Sequence, residues 1–303
     1  ERFNSDQDNK SALFPLTSLT NISKPLYIDE LRSDIEKMLP PKSIIESYLD
    51  RFFKYIYPFF PAVDEKFYRA RIEKFIVQED QNSPAVKLVF EDKFDFAFLA
   101  TLLIFLRFAY ISIDPTTSTE DVSELLKYPI QGTFITAAQT ALSQFKIMRK
   151  TKLHIVQALF YLKVYLTYAP EDGDGKELNQ SQILSGTIIQ SAFTMGLNRD
   201  AAKYSHLSNF QGYVNLWRKL WLSILSMDRV GSVLSGQSCV IQNVNSYEIM
   251  FPEPLDQDSP MEPIIVEELE KQQRLNQLLL EISNLVNNIG CLLYTSPSPR
   301  DST

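Results

Sequence analysis

Glycine is scarce: nine in 303 residues, against ordinary usage of about 7%. Sandwiches and barrels spend glycine freely at their turns, so a chain this poor in it and this rich in Leu, Ile and Phe argues against both. Thiols and imidazoles are scarce as well. His154, His206, Cys239 and Cys291 follow one another at gaps of 52, 33 and 52 residues, with no zinc-ligand spacing. Two cysteines exclude a disulfide-dense secreted scaffold and point to a reducing compartment. Positive charge is short: 30 Lys and Arg against 37 Asp and Glu leave −7, which repels phosphate and speaks against these residues gripping DNA or RNA by themselves. Long apolar runs are missing too. The run Phe96–Leu106 covers 11 residues before Arg107 interrupts it, and a membrane span needs about 20. The chain opens on ERFNSDQDNK, with neither an initiator Met nor an apolar signal core. It is read as part of a longer intracellular protein.

Chemical motifs are equally thin. Asp172, Asp174 and Gly175 suggest a calcium loop, but the fifth and twelfth positions are Lys176 and Ile183, neither of which can ligate. There is no GxSxG elbow, no HExxH and no Walker A loop. His154 opens a helix and His206 sits in a polar loop, so both read as structural or solvated. No catalytic or metal-binding residue is assigned. An all-α enzyme would need a deep polar pocket holding one of these histidines beside an acid.

What the chain does contain is helical periodicity. Residues 1–40 are polar and Pro/Ser/Thr-punctuated, a linker lying against the body near its end. Pro40 and Pro41 open a helix carrying Ile44, Ile45, Tyr48, Leu49, Phe52, Phe53 and Ile56, which Pro58 and Pro61 stop. Residues 64–78 form an amphipathic helix capped by Asp64. Residues 94–113 are apolar nearly all round, a buried core helix whose Arg107 needs an acidic or carbonyl partner. Helices follow near 122–127, 131–147, 151–169, 179–196 (closed by Gly196) and 212–235. Residues 248–270 hold eight acids, no bases and four prolines, an exposed and solvated crossing. A last helix, about 264–293, carries Leu275, Leu278, Ile282, Leu285, Ile289 and Leu292 at 3-4 spacing, to pack on its own domain or to pair across a homodimer. The fold class is all-α: an irregular multi-helix bundle of helical hairpins, with one domain over 41–293. The closing 294–303 is a disordered Pro/Ser tail that resembles translated vector sequence.

One constellation stands out. On the helix NLWRKLWLSILSMDRVGSVLSG, Trp217, Leu220, Trp221, Ile224, Leu225 and Asp228 share one face at 3.6 residues per turn. A carboxylate there must be neutralised, by a cation or by capped backbone from another helix. Arg199 and Arg107 are the leading partners.

This helix, with the preceding TIIQSAFTMGLNRD and the following GQS, resembles the middle homology region of fungal binuclear zinc cluster transcription factors. The matching residues are Gly196, Leu197, Arg199, Asp200, Arg218, Leu220, Trp221, Asp228, Arg229 and Gly236. YLDRFFKYIYPFFPAVDEKFYR and LHIVQALFYLKVYL resemble the family's opening helix and turn and its central helix, so the likeness covers about 41–250 in order. Asn198, Lys219, Leu222 and Gln237-Ser238 depart from the pattern, where the family has His, Arg, Trp and Arg-Pro. The resemblance implies an all-α regulatory domain and a nuclear location. It implies that DNA is met, and zinc bound, only through a separate cysteine-rich N-terminal module absent from these residues, which need no cofactor of their own. It leaves the response open: a small apolar effector, a coactivator, or a helical dimerisation scaffold with no effector. No membrane role is implied.

Overall fold

Two prolines decide where the first long helix starts. The backbone of Pro41 is extended and its carbonyl accepts from Ile44 and Ile45 at 2.9 and 3.1 Å, so the missing proline N–H costs nothing at a helix N-terminus. The structure, a computed structural model, describes residues 28–78, 85–114, 120–143, 145, 151–169, 177–204, 210–255 and 260–295. Internal contacts divide the chain into two compact units, one up to Leu184 and one from Ser185.

The first unit contains α1 (Ile28–Met38), α2 (Lys42–Tyr55), α3 (Glu65–Phe75), a hairpin of β1 (Ile76–Gln78) and β2 (Val86–Leu88), then α4 (Asp95–Ile111), α5 (Glu120–Leu125), α6 (Thr133–Ser143) and α7 (Leu153–Tyr168). Helix α4 is the axis, packed on α2, α6 and α7. Its side chains are apolar on every side to match: Phe98, Leu102, Phe105, Leu106 and Ala109 are all buried. Phe105 stacks on Phe52 with centroids 3.7 Å apart and meets the edge of Tyr161 at 4.6 Å. Among the described residues no helix is long and apolar enough to cross a membrane.

Polar groups inside this unit are used as ties. Tyr48 donates to the Leu125 carbonyl at 2.8 Å, and Tyr161 donates to the Phe60 carbonyl at 2.7 Å. Gln157 donates to the Ala62 carbonyl at 2.8 Å, which seats the Pro-aromatic turn on α7. Arg107 finds the carbonyl partner it needs at Ile130, 2.5 Å away. Asp64 caps α3 by accepting from the Phe67 amide at 2.7 Å. Asp64→Ala is expected to lower stability by about 1 kcal/mol, read as a shift in the urea midpoint at unchanged slope.

Two elements differ from the sequence reading. The segment taken as linker contains α1, whose Ile35 is buried and whose Glu36 pairs with Arg32 at 3.0 Å while accepting from the Leu88 amide at 2.8 Å. Eleven residues give too few turns for a 3-4 stripe to show beside an upstream Pro/Ser stretch. The helix expected over 64–78 ends at Phe75. Ile76 and Val77 turn into β1, paired antiparallel with β2 in the register Ile76↔Leu88. Branching at Cβ favours that extended exit. Residues 296–303 and the loop of Asp172, Asp174 and Gly175 lie outside the described residues, as does His206.

Helix α8 (Glu177–Met195) leads into the second unit, which is completed by α9 (Gln211–Ser235) and α10 (Glu262–Thr295). Helix α9 is buried along most of its length and packs on α10. The acid-rich crossing is shorter than expected, because α10 already starts at Glu262. Glu262 is not solvated: it is buried and paired with the equally buried Lys219.

Candidate functional site

The residues singled out by sequence lie in the second unit around the two ends of α9. Helix α8 stops where Gly196 adopts φ +76°, a left-handed cap that a side chain would strain. Leu197 then donates back to the Ala192 carbonyl at 2.9 Å and buries its side chain completely. The chain from Asn198 to Asp200 runs beside 246–250: Glu248 donates to Asn198 at 2.9 Å, and Asp200 donates to Glu248 at 2.9 Å.

Asp200 is the hub. One carboxylate oxygen accepts from Arg218 Nη2 at 3.1 Å and from the Ala202 amide at 2.9 Å. The other accepts from Arg218 Nε and from the Met250 amide, both at 2.9 Å. Arg218 spends a further donor on the Phe251 carbonyl at 3.1 Å. Both side chains are buried, the residues being 2% and 3% exposed. Burial pushes the Asp200 carboxyl up, but the Arg218 guanidinium and the two amides outweigh it and hold it below the usual carboxylate range. A carboxylate lowered this way contributes stability that is complete above its unfolded value, about 4. That contribution is lost as pH falls through its folded value. Acid unfolding monitored by tryptophan fluorescence is therefore expected to start at higher pH in Asp200→Asn, which has no such carboxylate to hold ionised.

Asp228 forms the second hub. Its oxygens accept from the amides of Val240 and Ile241 at 3.0 and 2.9 Å, and Arg229 Nη1 lies 3.3 Å away. Asp228 is 5% exposed and Arg229 1%. The expected partners, Arg199 and Arg107, are corrected. Gly236, at φ +67°, reverses the chain after α9, and residues 239–241 return past the helix with the amides of Val240 and Ile241 aimed at the carboxylate. The cation is the adjacent Arg229, and the backbone that shares the carboxylate with it comes from a loop, not from another helix. Arg199 contributes its carbonyl, which accepts from Trp217 Nε1 at 3.0 Å, while its side chain stays exposed.

The indoles fill the space between the hubs. Trp217 is 6% exposed and Trp221 fully buried, its ring 5.4 Å from Phe193 and 5.7 Å from Tyr247. No acceptor among the described residues reaches Trp221 Nε1. The arrangement spends its charges on holding chain together. It presents no nucleophile beside a base, and among the described residues no group of three His, Cys, Asp or Glu could hold a metal. His154, in the first unit, lies 3.3 Å from Arg71 and 3.3 Å from Gln157. Burial, with Arg71 beside it, pushes its imidazole below the usual value.

The sequence matches the fungal specific transcription factor domain over residues 49–302. The chain belongs to that family. This domain is thus a regulatory region of a fungal transcription factor. It is 32% identical over 208 residues to multidrug resistance regulator 1 of Candida albicans, covering 63% of this chain and 19% of that protein. Oleate activated transcription factor 3 of Saccharomyces cerevisiae is 30% identical over 221 residues, 67% of this chain and 25% of its own length. The peroxisome proliferation transcriptional regulator of the same yeast is 29% identical over 234 residues, 71% and 23%. The domain thus spans about a fifth to a quarter of these relatives. No solved structure matches it.

Three polar contacts of the domain went unread in the sequence. Lys219, a departure from the family's Arg, buries its ammonium against Glu262. Asn215 exchanges two hydrogen bonds with the Glu253 backbone, at 2.5 and 3.1 Å. Asn276 donates to Ser226 at 2.7 Å. The signal for Lys219 was its place between Arg218 and Leu220 on an otherwise buried stretch of helix.

Proposed function

We propose that this domain is the responsive part of a longer nuclear transcription factor: a helical body that restrains an activation segment and releases it when an effector or a partner binds. The observation that carries this reading is the family match over 49–302. DNA contact and zinc belong to a separate module of the parent protein, in keeping with a net charge of −7. Two buried hubs pin loops to one helix, and a switch would require a second arrangement in which one of them is released. A small apolar molecule is the effector class this reading favours. Relatives named as activated by oleate support it, and so does a content of 20 Phe and 14 Tyr.

The test is a transcriptional reporter. Residues 1–303 are placed between a heterologous DNA-binding module and a strong activation segment. Reporter RNA is expected to fall relative to the fusion lacking the domain, and to recover when Arg218→Met loosens the clamp. Output indifferent to the domain would overturn the reading. Oleate, added as the probe, is expected to relieve the restraint; relief by none of a panel of fatty acids would leave a partner protein as the trigger.

A further inference from the structure

Helix α10 carries apolar side chains on two faces, of which the domain covers one. The face toward α9 mixes polar with apolar contacts: Lys219 pairs with Glu262, Asn276 donates to Ser226 at 2.7 Å, and Ser283 meets Ser232 at 3.0 Å. Among its described side chains, only Ile265, Val266, Leu269 and Leu280 are buried apolar residues. The other face is apolar and open. Leu275, Leu278, Ile282, Leu285 and Val286 are between 40% and 61% exposed. The stripe expected to serve the domain's own packing is therefore turned away from it. Single exposed leucines need no explanation, but a contiguous row on one helix does.

The spacing of that row says what fits it. Leu275, Ile282 and Ile289 fall at position a of a heptad and Leu278, Leu285 and Leu292 at position d. Two of the three a residues are β-branched and every d is Leu, the combination that favours two parallel strands. The g positions, Arg274 and Glu281, would face the apolar e positions Leu279 and Val286, so no like charges oppose an in-register parallel pair. Half-open side chains in such a row leave roughly 500 Å² on one copy, so a symmetric pair buries about 1,000 Å², the size a specific interface has to reach. The polar contacts to α9 fix the register of α10 on its own unit and so hold the stripe in one orientation.

We infer that α10 is a pairing helix: two copies of this chain associate through Leu275, Leu278, Ile282 and Leu285 as a parallel, two-fold symmetric coiled coil. The contact is isologous, each stripe meeting its own equivalent. Pairing of this kind follows from the spacing and exposure of one helix, and it stands whether or not the domain responds to an effector.

Sedimentation velocity on the whole 303-residue chain, from low micromolar to about 100 µM, tests it. The wild type is expected to shift from monomer to dimer across that range. Leu278→Glu with Leu285→Glu places like charges across the pair and is expected to weaken association by on the order of 100-fold, with the helical circular dichroism signal retained because both positions are exposed. The milder Leu278→Gln with Leu285→Gln serves if the charged variant misfolds. Orientation is read with Leu275→Cys in a Cys291→Ser background, which oxidises to a disulfide-linked dimer only if residue 275 faces its equivalent. A wild type that stays monomeric at about 100 µM, or a dimer that neither double variant weakens, overturns the inference. A dimer that fails to cross-link at 275 overturns the parallel arrangement.

Discussion

Asp200→Ala is expected to destabilise the second unit by about 3–5 kcal/mol, with a fall in its melting midpoint on the order of 10 °C. The size follows from what is left behind. The Arg218 guanidinium would remain buried with only the Phe251 carbonyl to satisfy it, and the amides of Ala202 and Met250 would lose their acceptor. Each unmet buried donor costs about 1–3 kcal/mol. Arg218→Met is expected to cost less, because Asp200 keeps two amide donors and the methionine fills most of the vacated volume. The double variant should also be milder than Asp200→Ala, since the unpaired buried cation is then gone and only the orphaned amides remain. Urea unfolding of all three variants decides it. If the double variant proves as damaging as Asp200→Ala, the two amides, and not the ion pair, carry the clamp.

The two carboxylates were legible in sequence to different depths. Asp228 announced itself because its neighbours at helical spacing are apolar, and an ionised group on such a face has to be neutralised. What joins Arg229 in neutralising it was not legible, because the amides of Val240 and Ile241 are donors that almost any residue there would supply. Side chains can be searched for in a sequence, and the path of a returning loop cannot. Asp200 was visible only through resemblance: an Asp four residues after a helix-ending glycine is common, and its hold on Arg218 lies 18 positions away. Gly196 was the cleaner signal, because a helix end in a glycine-poor chain needs a left-handed residue and few are available.

Burial misled in the opposite direction at the end of the chain. Glu262 sits among acids and prolines, a composition that reads as solvated, yet it meets Lys219 inside the unit. Leu275, Leu278 and Leu285 belong to the most regular apolar stripe in the sequence, yet they face outward. Periodicity fixes which residues share a face. It does not fix which face the rest of the domain covers, and here the α9 side is secured by Asn276 and Ser283 through hydrogen bonds. For α4 the same logic held, because the helix is apolar nearly all round and is buried along most of its length.

The second large effect belongs to Asp228. Asp228→Ala is expected to cost about 3–5 kcal/mol, since Arg229 would stay buried without its carboxylate. Asp228→Asn separates the charge from the shape. The amide keeps one oxygen for Val240 or Ile241 but turns an NH2 toward the other N–H, so one donor pair must separate. The loss should be local before it is global. Hydrogen exchange at the amides of Val240 and Ile241 is expected to accelerate in Asp228→Asn, while the amides from Leu220 to Leu225 in the middle of α9 keep their wild-type protection. Exchange that accelerates evenly along α9 would mean that Asp228 holds the helix itself and not the returning chain. Protection at Val240 and Ile241 that survives the substitution would mean that Gly236 alone sets the path of the loop, with the carboxylate a consequence of that path.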